Sequence, residues 1–71
     1  MIHILHFLNM VLNVFTFPAK NLTEAKAKND ELNCLGGDVN FIQDETMAMA
    51  MVNNFRKRGA TIIEHQMAIA A

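Results

Sequence analysis

The sequence predicts a small α+β domain, with a three-stranded sheet packed on two or three helices. Three observations predict it. The chain has 71 residues, enough for a single domain over residues 1–71 with one modest core. Two segments carry helix-type apolar spacing, each with a capping residue in front and glycine behind. Short β-branched or aromatic runs stand before, between and after them.

The first element is the least determined. Ile2 to Phe17 is largely apolar but is interrupted by His3, His6, Asn9 and Asn13. Ile2 to Leu8 reads as a strand, with a turn near Asn9. After the turn two readings stay open. One is a short helix from Met10 to Phe17, which leaves three strands. The other is a second strand over Val11 to Phe17, which makes a hairpin-first ββαβαβ two-layer sandwich. Pro18 ends either one. A membrane-spanning helix needs about 20 mostly apolar residues, and this run is shorter. A secretory signal opens on positive charge, whereas the first basic residue is Lys20. The run is therefore read as core, with no membrane role, and the chain is expected to be cytoplasmic.

Asn21 is a candidate N-cap, with Glu24 three residues on as in a capping box. The helix it opens runs to about Leu35. Leu22, Ala25, Leu32 and Leu35 are expected on its buried face, with the Lys28 stem beside them. Asn21-Leu22-Thr23 is formally a glycosylation sequon, but the cap explains Asn21 more simply. Gly36-Gly37 ends the helix and precedes the strand Val39 to Ile42. A phosphate-cradling loop follows a strand and opens a helix, so this glycine pair is not one.

Asp44 to Arg58 raises a choice, since Met47-Ala48-Met49-Ala50-Met51 alternates as a strand does. Helix is preferred. Asp44 can cap it, and Met47, Ala48, Met51, Val52 and Phe55 fall within an arc of about 140°. Asp44 and Glu45 open it and Arg56-Lys57-Arg58 close it, which suits the helix dipole. Gly59 stops it. Met49 lies off the main face, near Val52 and Arg56; an exposed methionine there marks an adaptable partner-binding surface. Ala60 to Gln66 reads as the last strand, with Thr61, Ile63 and His65 on one side and Ile62, Glu64 and Gln66 on the other. The apolar tail Met67 to Ala71 extends that strand or pairs across a homodimer.

Composition excludes more than it assigns. Six basic and seven acidic residues give no electrostatic reason to expect nucleic acid, and the basic triplet reads as a solvated helix end. A single cysteine, Cys34, excludes an internal disulfide and reads as a small helix residue, although it could pair between chains. His3 and His6 point to opposite faces of a strand, and no spacing ties them to His65 or Cys34 as a metal site. No nucleophile elbow, zinc helix or phosphate loop is present. The expectation is a non-enzymatic protein without cofactor.

The element order and the segment Ala50-Met51-Val52-Asn53 resemble ClpS, the family of adaptors that deliver N-degron substrates to the Clp protease. Its fold is shared with the C-terminal domain of the ribosomal stalk protein. Ile2 to Asn9 resembles the family's first strand, running into an asparagine, and Val11 to Phe17 a shortened first helix. Asn21 to Gly36 resembles the second helix. Val39 to Ile42, Asp44 to Arg58 and Thr61 to His65 resemble the remaining strand, helix and strand. The resemblance implies a peptide-binding site at Asn9, Met10 and Asn33. The family sets an acidic pair after the asparagine to hold the substrate's α-amino group; here Met10-Val11 follows. It sets a histidine where Asn33 stands. Uncharged groups bind an amine less strongly than charged ones. The function implied is an adaptor with altered or lost N-degron recognition, with a Clp-type protease as partner. Two further readings remain: a homo-oligomeric interaction or inhibitory protein that masks a partner surface, and a metal or small-ligand binder.

Overall fold

The computed structural model describes residues 1–67. Among these the chain runs β1 (Ile2–Leu8), β2 (Val11–Phe17), α1 (Leu22–Leu35), β3 (Asp38–Ile42), α2 (Glu45–Lys57) and β4 (Thr61–Gln66). The class is α+β, but the sheet has four strands rather than three. The difference lies at Val11–Phe17, which is a strand and not a short helix. Five of its seven residues are β-branched or aromatic, and all seven pair with β1, from Leu8↔Val11 to Ile2↔Phe17. That part of the ClpS likeness, which laid these residues on a helix, does not carry over.

Asn9 and Met10 form the two-residue hairpin turn, with φ of 52° and 63°. Positive φ at both positions gives the twist that joins right-twisted strands. Asparagine tolerates that conformation and methionine does not, at about 1–2 kcal/mol for an ordinary L-residue. Met10→Gly is therefore expected to stabilise the domain by about 1 kcal/mol. Urea unfolding should show a higher midpoint at unchanged slope. A lower midpoint would mean that the half-exposed Met10 side chain makes contacts worth more than the strain.

The strand order is β3-β1-β2-β4. β1 is antiparallel to β2 and β3, and β2 is parallel to β4, so β2, β3 and β4 run the same way. The crossover from β2 through α1 to β3 passes over β1 in one direction. The crossover from β3 through α2 to β4 returns over β1 and β2. Right-handed crossovers that travel in opposite directions must use opposite faces. The packing agrees. Ala25 and Leu32 of α1 pack with Ile2, Ile4 and Phe17. Ala48 and Phe55 of α2 pack with Leu5, Leu12, Val14 and Ile42 from the alternate strand positions. The sheet is thus a middle layer with one helix on each side, not one layer of a two-layer sandwich.

Asp44 caps α2 as expected: the Met47 N–H donates to Asp44 Oδ1 at 3.0 Å. Asn21 does not cap α1 with its side chain. Its ψ of 41° lies outside the extended region from which a side chain reaches the first-turn amides, and its main chain serves instead. The Asn21 N–H donates to Pro18 O, and Asn21 O accepts from the Ala25 N–H. Leu22 and Leu35, expected on the buried face of α1, are exposed. At 3.6 residues per turn they lie about 70° to either side of the Ala25–Leu32 line, beyond the width the sheet covers.

Phe55 meets Phe7 with ring centroids 4.5 Å apart, and the Arg58 guanidinium lies 5.1 Å above the Phe55 ring. One member of the basic triplet therefore covers an aromatic pair rather than only closing the helix in solvent. On the other face the His6 Nε2–H donates to Gly36 O at 2.7 Å, which ties the end of α1 to the central strand. α1 lies over β1 and β3, leaving β4 uncovered on that side. There His65 stacks on Phe15 at 4.5 Å and donates from Nε2 to Asn13 Oδ1 at 2.8 Å, while Ile63 is exposed. The Met67 N–H donates to Thr16 O, which continues the β2 ladder by one bond. The rest of the tail expectation falls on residues 68–71, outside the described residues. No helix among the described residues is long and apolar enough to cross a membrane.

Candidate functional site

Along one side of α2, beside the line where Ala48 and Val52 pack on the sheet, a groove of about 400 Å³ opens. Its helix wall is Glu45, Ala48, Met49, Val52, Asn53 and Arg56. That spacing is i, i+3, i+4, i+7, i+8 and i+11, one continuous face over three turns. The opposite wall comes from the three strands that present the same face: His3 of β1, Val14 and Thr16 of β2, and Glu64 and Gln66 of β4. Register aligns them. His3 pairs with Thr16 and Thr16 with Gln66, while Val14 pairs with Glu64. The groove has a floor of Ala48, Val14 and Val52, and charged groups around it.

His3 is the buried polar group of the site, at 8% exposure. Its Nδ1 stands 3.4 Å from Thr16 Oγ1. Its Nε2 lies 3.2 Å from Glu45 Oε1 without the geometry of a hydrogen bond. Glu45 itself is mostly exposed at the first position of α2. At the other end the Arg56 Nη1–H donates to Asn53 Oδ1 at 2.9 Å, which orients the guanidinium along the wall.

The three residues expected to bind a partner, Met49, Val52 and Arg56, lie together on this wall. Met49 is 63% exposed, so the off-face methionine does project from the core. The three residues implied for peptide binding lie elsewhere. Asn9 and Met10 are the hairpin turn. The Asn33 Nδ2–H donates to Asn29 O within α1. Gly37 packs on Phe7 and Leu8, so the end of α1 and the hairpin turn occupy the same end of the sheet, but none of the three residues lines the groove.

The histidines are dispersed. His3 faces α2 and His6 faces α1, as strand alternation requires, and His6 and His65 are each hydrogen-bonded. Cys34 is exposed on α1. Among the described residues no three His, Cys, Asp or Glu side chains stand close enough to hold a metal ion. Sequence reasoning missed the meeting of His3, Thr16 and Glu45. Half of it was available: a two-residue turn at Asn9-Met10 fixes the hairpin register and places Thr16 opposite His3. Nothing local marks Glu45 as their neighbour.

The fold and groove define a small α+β domain with an open, amphipathic groove. Compared with protein-family models, with curated proteins and with solved structures, the chain matches none. Its functional reading rests on the groove.

Proposed function

We propose that this domain is a small non-enzymatic protein-binding module that takes a peptide segment of its partner into the groove between α2 and the sheet. The observation that carries this reading is the shared wall of Met49, Val52 and Arg56 over an apolar floor. Apolar grooves with a few placed polar groups suit peptide recognition, and methionine adapts its shape to the segment bound. The ClpS resemblance supports an adaptor within this class, acting in the cytoplasm, with a Clp-type protease as partner. N-degron recognition is altered or lost in this reading, because Asn9, Met10 and Asn33 bring no charge and lie apart from the groove.

Panning a random 12-residue peptide library against the intact protein tests the proposal. It should enrich peptides with an apolar centre. Met49→Asp should weaken the best of them about tenfold, because it sets a charge on the apolar contact surface. The same variant should unfold within about 0.5 kcal/mol of the parent, since residue 49 is exposed. Enriched peptides indifferent to Met49→Asp would place binding elsewhere. Peptides beginning in Phe, Leu, Trp or Tyr, against their N-acetylated forms, examine the degron branch in the same titration.

A second reading, self-association, is favoured by one observation. Among the described residues no strand pairs with the outer edge of β4, which carries the exposed Ile63. Open edges pair readily with a second strand. Sedimentation equilibrium of the parent and of Ile63→Lys decides it: a dimer that Ile63→Lys dissociates supports the reading, and a monomer at all concentrations ends it.

A further inference from the structure

The main chain of β4 bonds to β2 at alternate residues. The Thr61 N–H donates to Met10 O and the Met67 N–H donates to Thr16 O. Strand alternation then turns the N–H and C=O of Ile62, Glu64 and Gln66 outward, where no strand among the described residues meets them. Neither face blocks an approach to this edge. On one side the groove separates α2 from Glu64 and Gln66, and on the other α1 lies mainly over β1 and β3. The edge also lacks two common guards against pairing, since Thr61–Gln66 contains no proline and no lysine. At the opposite edge of the sheet, β3 is one residue shorter and has α1 packed on it.

We infer that β4 pairs antiparallel with β4 of a second copy of this chain, about a two-fold axis at Ile63. The pairing rests on the self-association reading, and it names the partner strand, the register and the central contact. Hydrogen-bond direction restricts the register. Outward-facing residues must stand opposite outward-facing residues, which excludes full overlap of the two strands, since that would set Ile63 opposite Glu64. Two registers with five residues paired remain. One is centred on Glu64 and sets the two carboxylates directly opposite each other, which is unfavourable. The other is centred on Ile63. There Ile62 of each copy exchanges main-chain bonds with Glu64 of the other, so each carboxylate faces an isoleucine rather than its like. The exposed Ile63 meets its own copy at a non-hydrogen-bonded position, where facing side chains come closest. A self-matching apolar residue on the axis is what a two-fold contact requires. The two four-stranded sheets then become one of eight strands, with both grooves on the same face.

Sedimentation equilibrium and thiol cross-linking of the intact chain test it together. In a Cys34→Ser background, Ile63→Cys should form a disulfide-linked dimer on mild oxidation with copper phenanthroline, because the two Cα atoms of such a pair stand about 4.5 Å apart. Thr61→Cys, on the same face, should not cross-link, since residue 61 stands opposite residue 65 in this register and its own copy lies beyond disulfide reach. Ile63→Lys, at a position 42% exposed in the single chain, should keep its fold and raise the dimer dissociation constant about a hundredfold. A dimer that Ile63→Lys dissociates, but that cross-links through Glu64→Cys and not through Ile63→Cys, overturns the register while self-association stands. A dimer indifferent to Ile63→Lys, or a monomer at all concentrations, removes the self-association reading and the inference with it.

Discussion

Gly37→Ala is expected to remove a large part of the domain's stability. Gly37 connects α1 to β3 at φ +85°, a conformation an L-residue reaches only with strain. Strain is the smaller part of the effect. A Cβ at this position would stand 2.5 Å from the Phe7 carbonyl oxygen and 3.1 Å from Leu8 Cβ. Neither is the far end of a flexible side chain. The backbone oxygen belongs to β1, which pairs on both sides, so relief requires β3 to move away from its neighbour. The cost is about 3 kcal/mol or more. Gly59→Ala is the control. Gly59 also has positive φ, at +89°, but no atom lies within 4 Å of its added Cβ. It should lose only the conformational term, about 1–2 kcal/mol. Thermal unfolding of the two variants separates the contributions. Equal losses would mean that residue 37 does not approach β1 as closely as described.

Leu5→Ala is expected to cost about 3–5 kcal/mol, the range for a fully buried leucine truncated in a rigid core. Leu5 is at 0% exposure in the central strand, between Val14 on β2 and Asn40 on β3 and beneath α2. A domain of this size holds about 4–10 kcal/mol in total at the usual stability per residue. The variant should then lose about a third or more of that margin, visible as a lower urea midpoint and a lower thermal transition. Leu35→Ala makes the comparison, because the same chemical change at 63% exposure should shift stability by about 0.5 kcal/mol or less. Similar losses at both positions would contradict the burial that sets the core.

Leu35 also shows where sequence reading stops. Heptad-like spacing placed it on the buried face of α1, but spacing alone does not set how wide a strip the sheet covers. The strip is narrow because α1 lies mainly over β1 and β3. By contrast, the bounds of α2 were legible nearly to the residue from Asp44 and Gly59, although Met47 of the expected apolar arc is exposed. Val11–Phe17 was ambiguous for a physical reason: seven apolar-rich residues between a turn and a proline satisfy either period. The glycine-free turn at Asn9-Met10 left the hairpin as one of two readings, because an Asn-Gly pair is its usual mark; the ββαβαβ element order of that reading is the one found. With that turn recognised, the register of β1 on β2 follows, and with it the pairing of His3 and Thr16.

The candidate site was legible only along the helix. Met49 stood out because it broke the face, and Val52 and Arg56 came with it by helical neighbourhood. The facing wall of Glu64, Gln66 and Val14 depends on β4 joining β2 in parallel, a long-range choice that no local pattern encodes. Asn9, Met10 and Asn33 came from the resemblance and not from any pattern in the residues, and they lie apart from the groove.

The most direct test is an amide-resolved titration of the isotope-labelled protein with a library-enriched peptide. Shifts concentrated at Met49, Val52, Asn53, Arg56 and Glu64, with the hairpin turn and α1 unmoved, are the expected result. Shifts concentrated at Asn9, Met10 and Asn33, or along the outer edge of β4, would contradict the groove as the binding site.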